Sequence, residues 1–157
     1  MASSPRADTV AVFDDGMVQL FESTLDALSN LACEEKIVPH MMQETIVPPV
    51  VNLCGETDMP RIHKNAALVL ATLACHEPSI GALVKQGAAR ALVRMCKKGA
   101  DPEVLRNASA ALGNLARDSD VVILMLRDGV LQPLVHIIMS STDPALLGSV
   151  ALLLFWY

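Results

Sequence analysis

The sequence predicts an all-α fold, an α-solenoid of about three and a half units, on three observations. The chain matches itself at a shift of 42 residues. Within the matching segments the apolar residues recur at three- and four-residue steps, the signature of helices with one buried face. The apolar set is rich in Ala, Leu, Val and Met, with only 3% aromatic residues, which suits closely spaced helices better than sheets.

Residues 25–33, 67–75 and 109–117 align at this shift without a gap. Outside them Gly87 pairs with Gly129, Leu92-Val93 with Leu134-Val135, Asp101-Pro102 with Asp143-Pro144, and Cys54 with Cys96. Turn residues agree as well as core residues, so each unit has fixed helix lengths and fixed turns.

Taken in order, residues 1–15 form a flexible tail or lead-in, and residues 16–157 the repeat domain. The domain begins with a lone helix at 16–33, equivalent to the third helix of a unit, and continues with units at 34–75, 76–117 and 118–157. In the first unit Thr45 stands where Gly87 and Gly129 stand. Pro48-Pro49 is tolerable only in a first turn, so the second helix there is expected to start near Pro49. In the second unit Pro78 opens a short helix that Gly87 ends, and a second helix over 88–98 is stopped by Gly99. Asp101 then caps, and Pro102 opens, a long third helix running to about Arg117, with Leu105, Ala108, Leu112 and Leu115 on one side. The third unit repeats this as 119–128, 130–140 and 144–157.

At 157 residues and 52% hydrophobic, the chain can bury the core of one domain. Its net charge of -5 repels phosphate backbones and anionic membrane surfaces, so nucleic acid is not an expected partner. The first residues lack a basic start followed by an apolar run, which argues against a secretory leader. The apolar segment 145–157 is thirteen residues long, against the roughly 20 that a spanning helix needs, so membrane insertion is not expected.

The segments Ala27-Leu28-Ser29-Asn30-Leu31-Ala32 and Ala111-Leu112-Gly113-Asn114-Leu115-Ala116 resemble the third-helix signature of the armadillo repeat family. Gly129-Val130-Leu131-Gln132-Pro133-Leu134-Val135 resembles the opening of its second helix. The resemblance covers roughly residues 16–157. It implies a right-handed α-solenoid of armadillo repeats, three helices per unit, and a concave groove lined by third helices in which an Asn bonds the main chain of an extended peptide. That role falls on Asn30 and Asn114, while Thr72 interrupts the series. Members of the family that carry basic import signals place Trp four residues before the Asn. Asp26, Leu68 and Ala110 stand there in this chain, so that mode of recognition is not expected. Some small members of the family are structural parts of cilia and other cytoskeletal assemblies.

If the third-helix leucines face the core, the opposite strip carries Glu22, Ser23, Asp26 and Asn30, then Lys64, Asn65, Leu68 and Thr72, then Arg106, Asn107, Ala110 and Asn114. The strip passes from acidic to basic and suits a partner segment of both signs, or an acidic one over Lys64 and Arg106. It also fits a solvated helix face. At the other end, Leu153, Leu154, Phe155, Trp156 and Tyr157 close a last helix that is apolar nearly all round, where a solenoid needs a polar outer face. An end-to-end homodimer, docking into a larger assembly, and a place within a longer array all fit.

Cys33 and Cys75 are repeat-equivalent, as are Cys54 and Cys96. Neighbouring helices lie about 8–10 Å apart, beyond the reach of a disulfide, so all four are expected to be core thiols of a cytoplasmic, reducing compartment. His40, His63, His76 and His136 show no ligand spacing, and no phosphate loop or nucleophile elbow occurs. No metal, cofactor or catalytic residue is expected. The sequence therefore points to a non-enzymatic protein-interaction scaffold or structural subunit. The alternative is a transport or chaperone-like receptor for an extended client peptide.

Overall fold

The computed structural model describes residues 14–43, 45–98 and 101–155, which contain ten α-helices and no strand. A third helix alone, α1 (Asp15–Ala32), comes first. The first unit follows as α2 (Val38–Gln43), α3 (Val47–Glu56) and α4 (Pro60–Cys75). The second comprises a 3-10 turn at Glu77–Ser79 running into α5 (Ile80–Lys85), then α6 (Ala88–Lys98) and α7 (Pro102–Leu115). The third is α8 (Ser119–Arg127), α9 (Leu131–Ser140) and α10 (Pro144–Phe155).

Local chemistry sets the boundaries. Asp14, Asp101, Asp118 and Asp143 each accept a backbone N–H at a helix start, and Asp101 takes those of Glu103 and Val104 at 2.8 and 3.1 Å. These caps satisfy donors that have no partner inside the helix. Gly87 and Gly129 have φ of 87° and 79°, a left-handed turn that a Cβ would disfavour. The second helix of the first unit starts at Val47, two residues before the expected point, because the first turn takes both Pro48 and Pro49. The stop expected at Gly99, the lead-in over residues 1–13, and Trp156 and Tyr157 lie outside the described residues.

The third helices form one row, α1 on α4, α4 on α7 and α7 on α10, with α3 and α6 packed behind. Leu73 and Leu115 occupy corresponding buried places in the row. Leu31, one repeat earlier, is 47% exposed, since it lies on the side of α1 that no described helix covers. At the positions of Ser29, Ala71 and Gly113 the row needs small residues. A Cβ built on Gly113 would lie 3.6 Å from the Leu153 backbone nitrogen of the next third helix.

Two expectations are corrected here. Cys54 and Cys96 are buried, and burial pushes both thiols up to about 12. Cys33 and Cys75, however, are exposed, because they fall at the ends of α1 and α4 where the chain turns away from the core. Leu153, expected at a docking end, is fully buried. It lies with Leu146 and Val150 on the single face of α10 that packs inward, against Gly113 on α7.

Candidate protein-interaction surfaces

The strip on the third helices is stitched together by side chains that cross from one helix to the next. Asn107 Nδ2 donates to the Lys64 carbonyl and Asn114 Nδ2 to the Ala71 carbonyl, both at 3.0 Å. Asn114 Nδ2 also lies 3.2 Å from Cys75 Sγ. Between α1 and α4, Thr72 Oγ1 lies 3.4 Å from Ser29 Oγ and donates to its own Leu68 carbonyl. These bonds fix neighbouring helices in register, and they commit the amide donor that the family resemblance assigns to a bound peptide. At Asn114 the side chain can offer such a peptide its Oδ1 as an acceptor.

The charges of the strip are used in the same way. Glu22 accepts from Arg61 Nε at 2.7 Å, and one repeat later Lys64 meets Glu103 at 3.4 Å. These are one geometric pairing with the signs exchanged, since Lys64 follows Glu22 by one period and Glu103 follows Arg61 by the same. The acidic-to-basic trend along the strip therefore records the polarity of internal pairs rather than a free surface potential. Sequence reasoning missed the partners because it compared only positions within third-helix strips; opposite charge at a separation of 39 residues was the available signal.

Arg106 continues the series but finds Ala145 at the Glu103 place, and instead reaches Asp143 at 2.6 Å. The hydrogen bond from Arg106 is the main reason the Asp143 carboxyl lies below its ordinary value of 3.8; the backbone N–H of Ala145 assists. The same bond raises Arg106. A carboxyl depressed in the fold contributes stability that is whole above its unfolded value and is lost as pH falls through the folded one. Acidification below the ordinary carboxylate range is therefore expected to loosen the α7–α10 contact. Hydrogen exchange of α10 amides should show protection falling in acid, and falling less in Asp143→Asn; equal pH dependence in both would contradict this.

Of the strip residues, Ser23, Asp26, Asn30 and Leu68 are exposed, while Glu22, Lys64, Thr72, Arg106, Asn107, Ala110 and Asn114 are half-buried. Asn65 is buried and does not reach the strip's surface. A cleft of about 470 Å³ at the ends of α1 and α4 is lined by Cys33, Glu35, Thr72, Cys75 and His76, among others. Among the described residues no three His, Cys, Asp or Glu side chains converge as a metal site requires, and no single helix is long and apolar enough to cross a membrane.

The second surface is the end of the stack. Leu154 and Phe155 are exposed, and with them, unanticipated from the sequence, Leu131, Val135, Ile138 and Met139 on α9. Leu131, Gln132, Val135, His136 and Met139 line an open groove of about 500 Å³.

The Armadillo/beta-catenin-like repeat family model matches residues 76–117, which is one unit. No curated protein matches the chain. Its structure is similar to the designed armadillo repeat protein YIII(Dq)4CqI, with a TM-score of 0.81 and 23% identity over 94% of this chain and 60% of that one. It is also similar to the designed armadillo repeat protein YIII(Dq.V1)4CPAF in complex with peptide (KR)4, at TM-score 0.80 and 21% identity over 94% and 62%. A third match is to computationally designed armadillo repeat proteins for modular peptide recognition, at 0.79 and 22% over 94% and 62%. The chain thus spans about 60% of the length of these proteins. The family model thus marks one armadillo repeat in the chain, and the likeness to the solved structures shows an armadillo-type solenoid fold over nearly all of it.

Proposed function

We propose that the chain is a non-enzymatic interaction scaffold that holds an extended segment of a partner protein along the strip on α1, α4 and α7. The observation that carries this is the row itself: hydrogen bonds between helices hold it rigid, while Asp26, Asn30 and Leu68 stay open along it. Two of the similar designed proteins are described by a bound peptide or by modular peptide recognition, which supports the same use here. With Glu22, Lys64 and Arg106 paired internally, the segment that fits best has apolar residues over Leu68 and Ala110 and a basic residue beside Asp26.

A receptor that releases extended clients would be favoured by a continuous ladder of Asn donors. Thr72 breaks the series and the Asn114 donor is committed, so a fixed scaffold is the better account. Free thiols support a cytoplasmic setting; attachment to cytoskeletal or ciliary assemblies rests on the family resemblance alone.

Selection from a displayed library of extended peptides tests the proposal. Selected peptides should bind the chain and lose about 10-fold or more in affinity to Leu68→Glu and to Asp26→Lys, since each change places a desolvated or repelling group in the strip. Failure to select any peptide, or selected peptides indifferent to both variants, would remove the strip as the binding surface.

A further inference from the structure

The seams between successive third helices are built on one plan but finished differently. Between α4 and α7, Arg117 Nη1 donates to the Cys75 carbonyl at 3.3 Å and its Nη2 to the Glu77 carboxylate at 2.8 Å. Asn114 beside it reaches the Ala71 carbonyl and Cys75 Sγ. One amide and one guanidinium thus close the C-terminal end of α4.

One period earlier, between α1 and α4, the acceptors are repeated and the donors are not. Ser29, Cys33 and Glu35 stand where Ala71, Cys75 and Glu77 stand, whereas Thr72 replaces Asn114 and Cys75 replaces Arg117. Both replacements are short. Thr72 Oγ1 goes no further across the seam than Ser29 Oγ, 3.4 Å away, and a thiol has no fork of donors with which to take the Cys33 carbonyl and Glu35 together. The cleft of about 470 Å³ lined by Cys33, Glu35, Thr72, Cys75 and His76 is the consequence. Its walls come from α1, α2 and α4, so it is internal to the stack.

The chemistry of those walls suits a cation with several donors. Two helix C-termini, which carry negative partial charge, meet there, and neither α1 nor α4 has a basic residue in its last turn. Glu35 adds a full charge. Its side chain is 86% exposed, and His76 Nδ1 stands 3.8 Å from its Oε1, beyond hydrogen-bond range. Of the neighbouring cations, Lys36 is exposed on the α1–α2 turn and Arg117 is committed to Glu77. A guanidinium can take a carbonyl and a carboxylate at once, as Arg117 does; an ammonium is a point charge without that fork.

We propose that the α1–α4 cleft binds the guanidinium of an arginine in the partner's extended segment, with the Cys33 carbonyl and the Glu35 carboxylate as its acceptors. The proposal rests on the scaffold reading for its partner, since Thr72 belongs to both the strip and the cleft. It adds a second basic position to the segment, distinct from the one beside Asp26.

Peptides selected on the chain should share an arginine at one fixed place. For such a peptide a double-mutant cycle, pairing Glu35→Gln on the chain with arginine-to-alanine in the peptide, should show about 10-fold coupling in affinity. Replacing the arginine by lysine should lose most of that coupling. Additive single effects, or selected peptides with no preferred arginine, would overturn the cleft and leave the strip in place.

Cys75→Arg tests the cleft without any peptide. The introduced side chain repeats Arg117 one period earlier, so the melting temperature should rise above that of Cys75→Ala, and the rise should disappear when Glu35→Gln is added. Selected peptides should bind Cys75→Arg about 10-fold more weakly, because the chain then fills the cleft itself. Equal melting of Cys75→Arg and Cys75→Ala would overturn the proposal. If no peptide can be selected while Cys75→Arg still gains stability through Glu35, the strip falls and recognition of arginine by the cleft stands.

Discussion

Leu73→Ala is expected to destabilise the stack by about 3–5 kcal/mol. Leu73 is fully buried in the middle of the row, with α1 on one side of α4 and α7 on the other. Removing its isobutyl group loses the transfer term and leaves a cavity that two rigidly bonded neighbours cannot collapse to fill. Because each unit is stabilised chiefly by its neighbours, loss at α4 weakens its contacts with both α1 and α7. The control has the same residue type at the same repeat position: Leu31→Ala, with Leu31 at 47% exposure, should cost under about 1 kcal/mol. Urea unfolding of the two variants gives the comparison. Equal shifts in midpoint would mean that the row does not bury Leu73 as described.

Gly113 should respond in opposite directions to two substitutions. An alanine Cβ there would sit 3.6 Å from Leu153 N and 3.8 Å from Leu153 Cα, which is ordinary van der Waals contact. Since Gly113 lies inside α7, Gly113→Ala should gain up to about 1 kcal/mol from helix propensity and reduced freedom of the unfolded chain. Gly113→Leu places a branched side chain where the α10 backbone lies and should cost about 3 kcal/mol or more. Hydrogen exchange would locate the damage, with α10 losing protection while α1 and α4 keep theirs. If Gly113→Leu melted all helices alike, or left α10 protected, the close approach would not be the reason for the glycine.

Most of the architecture was legible because the period is carried by several independent signals. Glycines at 87 and 129, capping aspartates at 101 and 143, and leucines at 73 and 115 all fall at one spacing. What escaped had a different physical origin. Pro48 and Pro49 misplaced a boundary by two residues, since a first turn accommodates proline at either of its positions. Cys33 and Cys75 were read as core from their repeat equivalence, yet equivalence transfers a position along a helix, and here that position is a helix end: Cys33 is the C-cap of α1 and Cys75 the last residue of α4. Leu153 was grouped with its exposed neighbours because α10 has no charged residue to mark its outer side; only packing against Gly113 reveals which stripe faces in. The strip residues were located from periodicity, but their availability was not, since bonds such as Asn114 to Ala71 join segments 43 residues apart.

The exchanged ion pairs give the stack a sense of order. Were the chain to lose its first unit, residues 34–75, through a deletion of one period, Glu22 would confront Glu103, and two carboxylates would share the place where a carboxylate now meets a guanidinium. Moving units past one another would bring like charges together in the same way. The copies are alike enough to build the same brick, yet each carries a lock cut for its own neighbour, so slippage of the chain by one period during folding is penalised at the seam and the sequence of bricks is enforced by their edges.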